Sequence, residues 1–351
     1  MKTREMSPRE RILAAIEHRP TDAVPTDFWG VSEITEKLYK ALGVTDVLGF
    51  AKALDMDKII AVEPRMKASG RRNMWDIEMR RIPLPGGQGY YYEPVREPLA
   101  DCESIADIEK NYVFPSTDMF DYSDIPRQCE LYRDYAIEGG YISLTYFYEM
   151  IRGTENMLVD MAEEPEIAEY ILMRMQEFAH EHTRRILEAG DGKIMISQVT
   201  DDLGSQNGLL CSPGMFDHYL RRYYDDNIAM VKSFGAKVFH HDDGAMTAML
   251  PWLMDRGIEL LNPIQWRLPG YDLKKLKAEY GSRLCFHGGV DNQWVMPFGT
   301  EADVRKEVRY LLDELYCDQT GYIIAPCHNI QANTSVANVL AMYDEAHKYR
   351  M

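Results

Sequence analysis

The sequence lacks any apolar run that approaches the roughly 18 to 20 residues of a membrane span. Its first seven residues contain no apolar segment of the kind that a secretory signal requires. Basic residues are also scarce, because 39 Lys and Arg face 56 Asp and Glu, which gives a formal net charge of −17. An acidic surface disfavours nucleic acids and anionic membranes as partners. We therefore expect a cytoplasmic protein that binds neither.

Several motifs that would assign a function directly are missing. The six cysteines are scattered and form no Cys-x-x-Cys pair, so most are expected to be buried thiols, with one or two available as metal ligands. No Gly-rich phosphate loop follows the first predicted strand, which disfavours a dinucleotide-binding fold. Neither a G-x-S-x-G elbow nor an H-E-x-x-H helix occurs. The chemistry must therefore come from residues that are distant in sequence.

Helix signals are present at several places. Ser7-Pro8 followed by Glu10 predicts a helix with a capping box. Ser212-Pro213 predicts a helix that continues to about residue 233, and Thr300 is expected to cap another. Residues 155–189 are expected to form one or two long helices that are interrupted near Pro165.

Short β-branched or aromatic runs alternate with these helical segments. Such alternation indicates a parallel sheet covered on both faces. Eight runs predict a single-domain α/β protein over residues 1–351, a (β/α)8 TIM barrel with an insertion near residues 64–135. Within the insertion, the glycines of 86–89 followed by three tyrosines predict a β-hairpin. The predicted strands are residues 23–29, 58–62, 141–148, 193–199, 237–241, 258–262, 283–287 and 322–325.

Polar residues follow most of these strands, and in a barrel all such ends converge on the face that carries the active site. Only one of His240 and His241 can face the barrel axis, because neighbouring strand residues point to opposite sides. Asp242 or Asp243 is equally explained as a helix cap, and Cys285 as a core thiol. The polar groups are Asp201-Asp202, residues 240–244, Asn262 with Gln265, residues 287–291 and residues 327–329.

The expected mouth of the barrel contains donors that suit a transition metal. His241, His287, His328 and Cys327 supply imidazole and thiolate groups. Together with a carboxylate, such donors are typical of a catalytic zinc ion with one open coordination position.

Six segments in order make the chain resemble the uroporphyrinogen decarboxylase superfamily over nearly its whole length. It is most similar to the corrinoid-dependent methyltransferases of that superfamily, including the O-demethylase type. This resemblance also implies the barrel fold. The segments are residues 9–16 with Pro20 and Pro25, then 200–206, 239–244, 257–265, 286–291 and 325–331.

The departures from the superfamily pattern disfavour two of its activities, the decarboxylation of uroporphyrinogen and the methylation of thiols. True decarboxylases carry an Arg-Gln-Ala-Gly-Arg segment after the first strand to bind substrate carboxylates, whereas residues 27–31 here contain no arginine. Thiol-directed methyltransferases have a His-x-Cys zinc motif, in which Asp243 replaces the cysteine here. In one aromatic O-demethylase group the zinc ligands are an acid and two cysteines, and the matching positions are Glu259, His287 and Cys327. The resemblance implies that these three, with His241, hold zinc.

The resemblance implies a methyl transfer from a small methylated donor to the Co(I) corrinoid of a partner protein. An aryl methyl ether is the preferred donor. Asp202, His241 and His328 are the expected catalytic residues, and Trp29, Tyr148 and Asn262 are expected to bind substrate. Aromatic residues near the ends of the early strands form the expected ring pocket, although barrel packing explains them equally well: Phe28, Trp29, Tyr146, Phe147 and Tyr148.

Two alternatives remain open from the sequence. A metal-independent decarboxylase or lyase would use Asp202 and a histidine as proton donors. A non-catalytic barrel would bind a small molecule or a corrinoid protein without chemistry. A bound metal that activity requires would exclude the first of these alternatives.

Overall fold

The structure is a computed structural model that describes residues 5–67, 72–83 and 90–349. The strands are β1 Ile59–Ala61, β2 Arg65–Met66, β3 Met79–Pro83, β4 Tyr90–Pro94, β5 Phe120–Asp121, β6 Ala136–Ile142, β7 Ile196–Val199, β8 Lys237–His241, β9 Leu260–Asn262, β10 Cys285–His287 and β11 Tyr322–Ile323. The helices are α1 Pro8–Ile16, α2 Ser32–Leu42, α3 Val47–Ala53, α4 Ile105–Asn111, α5 Ile125–Leu131, α6 Leu144–Arg152, α7 Thr154–Glu163, α8 Pro165–Gly190, α9 Pro213–Ser233, α10 Leu250–Arg256, α11 Leu273–Tyr280, α12 Val295–Phe298, α13 Glu301–Leu315 and α14 Val336–Lys348.

A seven-stranded parallel sheet in the order β1-β6-β7-β8-β9-β10-β11 forms the centre of the fold. The segment before α2 joins its two edges: Ile324 donates its amide to Pro25 O at 2.9 Å, and Lys58 donates its amide to Thr26 O at 3.1 Å. The sheet is therefore curled, with its edge strands close together. The structure has seven parallel strands here where the sequence predicts eight, because residues 23–29 form only an isolated bridge at Thr26.

Local sequence signals placed the predicted helical segments correctly, whereas one further strand lies earlier than predicted. The capping box of Ser7 and Glu10 is present, as are the caps at Ser212 and Thr300 and the break before Pro165. The strand predicted over residues 141–148 lies earlier, at 136–142, and residues 144–152 form α6. Aromatic and β-branched residues in α6 resemble a strand locally, but they form the buried side of an amphipathic helix.

Alternation along the strands builds two layers inside the curled sheet. The lower layer is apolar, takes one residue from each of the seven strands and packs against Ile12, Ala15 and Ile16 of α1. This layer includes the buried Cys285, which confirms the core thiol that the sequence predicts. Its strand members are Ile59, Ala136, Ile196, Phe239, Leu260, Cys285 and Ile323. The residues two positions further along each strand point the same way, which places a second layer at the carboxyl ends.

The insertion at 64–135 contributes two small antiparallel pairs and helices α4 and α5. Strands β3 and β4 pair from Met79 opposite Pro94 to Pro83 opposite Tyr90, which confirms the two arms of the predicted hairpin. The glycine turn at 86–89 lies outside the described residues. No helix in the described ranges has the length and apolar composition needed to cross a bilayer.

Candidate functional site

The second interior layer is polar, in contrast to the apolar layer beneath it. Counting two residues from the lower layer gives Glu138, Gln198, His241, Asn262 and His287 on five different strands. Asn262 and His287 are completely buried. Buried polar groups are costly unless they are paired, so the contacts of this layer determine what it can do.

A chain of hydrogen bonds connects most of this layer. His241 Nδ1 lies 2.6 Å from Asn262 Oδ1, and Asn262 Nδ2 lies 2.7 Å from His287 Nδ1. His287 Nε2 lies 3.0 Å from Asp27 Oδ2. Lys58 Nζ donates to Asp27 Oδ1 at 2.9 Å. Burial raises the pKa of Asp27, but the opposing effect of Lys58 and His287 is larger. The pKa of Asp27 therefore lies below its usual value, and the carboxylate is ionised.

These hydrogen bonds determine the tautomer of both imidazole rings. The amide nitrogen of Asn262 can only donate, so His287 Nδ1 accepts and His287 Nε2 carries the proton toward Asp27. The amide oxygen of Asn262 can only accept, so His241 Nδ1 carries a proton and His241 Nε2 keeps its lone pair. An outer partner that orients a ligating histidine in this way is typical of metal sites.

The free side of His241 faces two further metal-ligating groups. His241 Nε2 lies 4.0 Å from Asp243 Oδ1, and His328 Nε2 lies 3.5 Å from Asp243 Oδ2. One ligand atom from each residue lies within 4.8 Å of the others, and this is the cluster of metal-ligating groups found in the described ranges. Burial lowers the pKa of His328, which favours the neutral imidazole that a metal requires. The three residues form a candidate metal centre at the carboxyl ends of the strands.

Neighbouring residues hold the loops around this centre in position. Asp202 Oδ1 accepts the backbone amide of Asp243 at 2.8 Å, so it positions the loop that carries the carboxylate. Asp242 accepts the amides of Leu203 and Gly204 at 3.0 Å each. His240 is completely buried on the other side of the strand, with Nδ1 3.1 Å from Val199 O, so His241 is the one that faces the interior. Thus Asp202, His241 and His328, the expected catalytic residues, are brought together.

The other predicted metal ligands do not join this cluster. Glu259 lies near the start of β9, where its carboxylate contacts Lys237 Nζ at 3.3 Å and the amide of Val238 at 3.2 Å. It is therefore at the opposite end of the strands from His241, and the expectation that it ligates the same metal does not fit this geometry. His287 has both ring nitrogens in hydrogen bonds to Asn262 and Asp27. Cys327 is buried, with Sγ 3.9 Å from Ile264 O.

The predicted aromatic pocket is only partly assembled. Trp29 stacks on His241 with ring centroids 5.4 Å apart, and its Nε1 donates to Asp27 at 3.1 Å. Tyr148, expected to bind substrate, is instead completely buried in α6, with its hydroxyl donating to Asp160 at 2.8 Å. That expectation failed because the segment is helical, which turns Tyr148 into the protein. Phe28 packs on Phe50, with ring centroids 5.0 Å apart.

A cavity of about 710 Å³ lies beside the candidate metal centre, and Trp29 lines it. Its wall also includes Glu138 and Gln198, whose side chains hydrogen-bond to each other. Burial raises the pKa of Glu138 to about 7. Glu138 was not predicted because the third strand begins five residues earlier than expected, and Gln198 lies in a correctly predicted strand but was not recognised as a site residue. The sequence signal for a polar residue in a buried strand is an acidic residue that interrupts an otherwise apolar run, here followed by Gly139-Gly140.

Comparisons with known proteins agree with this architecture. A search of curated protein sequences gives no significant match. Among solved structures, a methyltransferase from Methanosarcina mazei aligns with a TM-score of 0.67 and 18% identity over 97% of this chain and 98% of that chain. A B12-independent methionine synthase from Shewanella sp. W3-18-1 aligns with a TM-score of 0.46 and 10% identity over 92% and 96%. At 18% identity, the alignment with the Methanosarcina mazei protein shows a shared fold. The alignment with the methionine synthase is too weak to support a conclusion.

The family comparison is more specific. The model described as uroporphyrinogen decarboxylase (URO-D) matches residues 135–349. This range contains strands β6 to β11 and all three residues of the candidate metal centre. Because the match covers more than half of the chain, the protein belongs to the uroporphyrinogen decarboxylase family.

Proposed function

We propose that this protein is a zinc-dependent methyltransferase of its family. It moves a methyl group from a small methylated donor, preferably an aryl methyl ether, to the Co(I) corrinoid of a partner protein. The description of the Methanosarcina mazei neighbour as a methyltransferase motivates the reaction class. We also propose that residues 25–27 act as the eighth strand of a (β/α)8 barrel, so that the site lies at the mouth of a closed barrel.

The candidate metal centre is the observation that supports this proposal. His241, Asp243 and His328 offer two imidazole nitrogens and a carboxylate oxygen within 4.8 Å of one another. Two histidines and an acid form a known catalytic zinc set that leaves a coordination position for substrate. These donors therefore fit zinc, and the hydrogen bond from His241 to Asn262 leaves Nε2 of His241 free to ligate it.

The chemical difficulty of the proposed reaction is the leaving group, because an ether oxygen departs poorly. When bound, zinc supplies a Lewis acid that stabilises negative charge on that oxygen. Asn262 orients His241, and Asp202 holds the Asp243 loop in place. Trp29 excludes water from one face of His241. The methyl acceptor belongs to the corrinoid, so the protein contributes position and electrostatics.

Decarboxylation of a polycarboxylate is the alternative that the family description suggests. Such a substrate needs cationic side chains that are free to bind it. In the described part of the cavity wall, the one Lys or Arg residue is Lys58, and its ammonium group is bound to Asp27 and to Phe28 O. Glu138 and Glu63 line the same cavity and would repel carboxylates. This wall therefore favours the methyltransferase over a decarboxylase of an acidic tetrapyrrole.

Metal analysis of purified protein tests the proposal. We expect about one zinc ion per chain in the wild type and its loss in His241→Ala and His328→Ala. Glu259→Gln is the matched control and should keep the metal, because its carboxylate contacts Lys237 at the other end of the strands. Absence of metal from the wild type, or full retention in both histidine variants, would contradict the site.

A second assay tests the reaction itself. Metal-loaded protein is mixed with 2-methoxyphenol and chemically reduced cobalamin, and the visible spectrum is followed for conversion of Co(I) to methyl-Co(III). We expect conversion with the wild type and none with His328→Ala. Release of carbon dioxide from a carboxylated substrate by metal-free protein would instead establish the decarboxylase.

A further inference from the structure

The cavity beside the metal centre has a polar floor that the proposed reaction does not use. Glu138 on β6 and Gln198 on β7 are neighbouring interior residues, and Gln198 Nε2 donates to Glu138 Oε1. Within the described ranges, no protein group donates a hydrogen bond to the second carboxylate oxygen of Glu138, Oε2. A carboxyl group that lines a cavity with one unused oxygen can bind a polar group of a ligand.

The rest of the cavity wall has a different character. Trp29, Tyr141, Phe147 and Phe178 line it, together with aliphatic residues. Tyr141 and Phe147 meet edge to face, with ring centroids 5.7 Å apart. Rings that meet in this way offer both faces and edges to a further aromatic group. A volume of about 710 Å³ is within the range of small-molecule sites, roughly 300 to 1,000 Å³.

The charges on the wall disfavour an anionic ligand. An anionic ligand would face the acids Glu138 and Glu63. Lys58 does not offset this repulsion, because its ammonium group is already neutralised by Asp27 at 2.9 Å. An uncharged ligand avoids this repulsion and needs only a hydrogen bond from the floor.

We infer that this cavity binds an uncharged aromatic ring that carries a hydroxyl group, and that the Glu138–Gln198 pair binds that hydroxyl. The ring is the methyl donor of the proposed reaction, so the inference rests on the proposed function in that respect. Trp29 joins the two sites, because it lines the cavity and stacks on His241 at 5.4 Å. Glu138 is thus a specificity-determining residue for a phenolic donor.

Calorimetric binding of four probes to the full-length chain tests this inference: 2-methoxyphenol, anisole, 2-methoxybenzoate and benzyltrimethylammonium. We expect 2-methoxyphenol to bind more tightly than anisole by about 3- to 10-fold, which corresponds to one net hydrogen bond. Glu138→Leu should abolish this preference without weakening the binding of anisole. Glu63→Leu, an acid on the same wall that is exposed, is the matched control and should retain the preference.

Three results would overturn the inference: equal binding of 2-methoxyphenol and anisole by the wild type, retention of the preference in Glu138→Leu, or tightest binding of either charged probe. If Glu138→Leu does not fold, as judged by circular dichroism, Gln198→Leu tests the other member of the pair. Because binding is measured without metal or corrinoid, its failure is distinct from failure of methyl transfer. Loss of transfer with intact phenol binding would refute only the proposed function.

Discussion

Replacing Asn262 with leucine removes the amide that joins His241 to His287 while keeping the number and branching of the side-chain heavy atoms. In the wild type this amide accepts from His241 Nδ1 at 2.6 Å and contacts His287 Nδ1 at 2.7 Å. Leucine provides neither group, so the tautomer of His241 is no longer imposed. A change in the hydrogen-bond partner of a ligating histidine weakens metal binding by about 10- to 100-fold.

The same substitution also affects stability. His287 is completely buried, so water cannot replace its lost partner, whereas the side chain of His241 is 13% exposed and can be hydrated. One buried group left unsatisfied costs about 1 to 3 kcal/mol. We therefore expect Asn262→Leu to lower the free energy of unfolding of the metal-free protein by about that amount.

The assay is competition for zinc with a chromophoric chelator, together with chemical denaturation of the metal-free protein. Asn262→Asp is the control, because a carboxylate oxygen still accepts from His241 Nδ1 and should keep zinc binding within a few-fold of wild type. If Asn262→Leu binds zinc as tightly as the wild type, His241 is not oriented through Asn262 and the argument for its tautomer is refuted.

Two further predictions concern pH and backbone conformation. Burial raises the pKa of Glu138 from 4.5 to about 7, so its contribution to stability, at most about 3 kcal/mol, is complete below pH 4.5 and is lost as pH rises through about 7. The Tm of the wild type should therefore fall more than that of Glu138→Gln between about pH 5 and about pH 8, and parallel curves would contradict this assignment. Gly244, at φ +122°, has no room for a Cβ, which would lie 2.6 Å from Gly204 C and Ser205 N. Gly244→Ala should shift the Asp243 loop and weaken zinc binding, whereas Gly192→Ala, at φ +72° with open space around it, should cost only about 1 kcal/mol and leave zinc binding unchanged.

Local signals were sufficient for much of the fold. The capping residues Ser7, Ser212 and Thr300 begin helices where the sequence predicts them, because a cap depends on only three or four consecutive residues. The sequence predicted the strands near the later polar motifs, although the structure often makes them a residue or two shorter. The strand that contains Glu138 was placed too late, since Tyr141 and Phe147 have high strand propensity although α6 begins at residue 144.

The candidate site was predicted less completely than the fold. The sequence placed Asp202, His241 and His328 at one end of the sheet because the carboxyl ends of parallel strands converge. It assigned Cys327 to the metal and His328 to catalysis, because no local signal shows which of two neighbouring residues after a strand points toward the site. The tertiary structure turns Cys327 toward Ile264 and brings His328 close to Asp243.

Sequence alone therefore determined the family resemblance, the alternation of strands and helices, and the convergence of the polar motifs, because each depends on periodicity or on short ordered segments. Only the tertiary structure decided that the carboxylate of Glu259 contacts Lys237 and Val238 and that Asp243 completes the cluster. It also decided that Glu138 faces a cavity. These facts depend on the depth of each residue within the sheet and on contacts across up to about ninety residues of chain, which no local pattern of amino acids encodes.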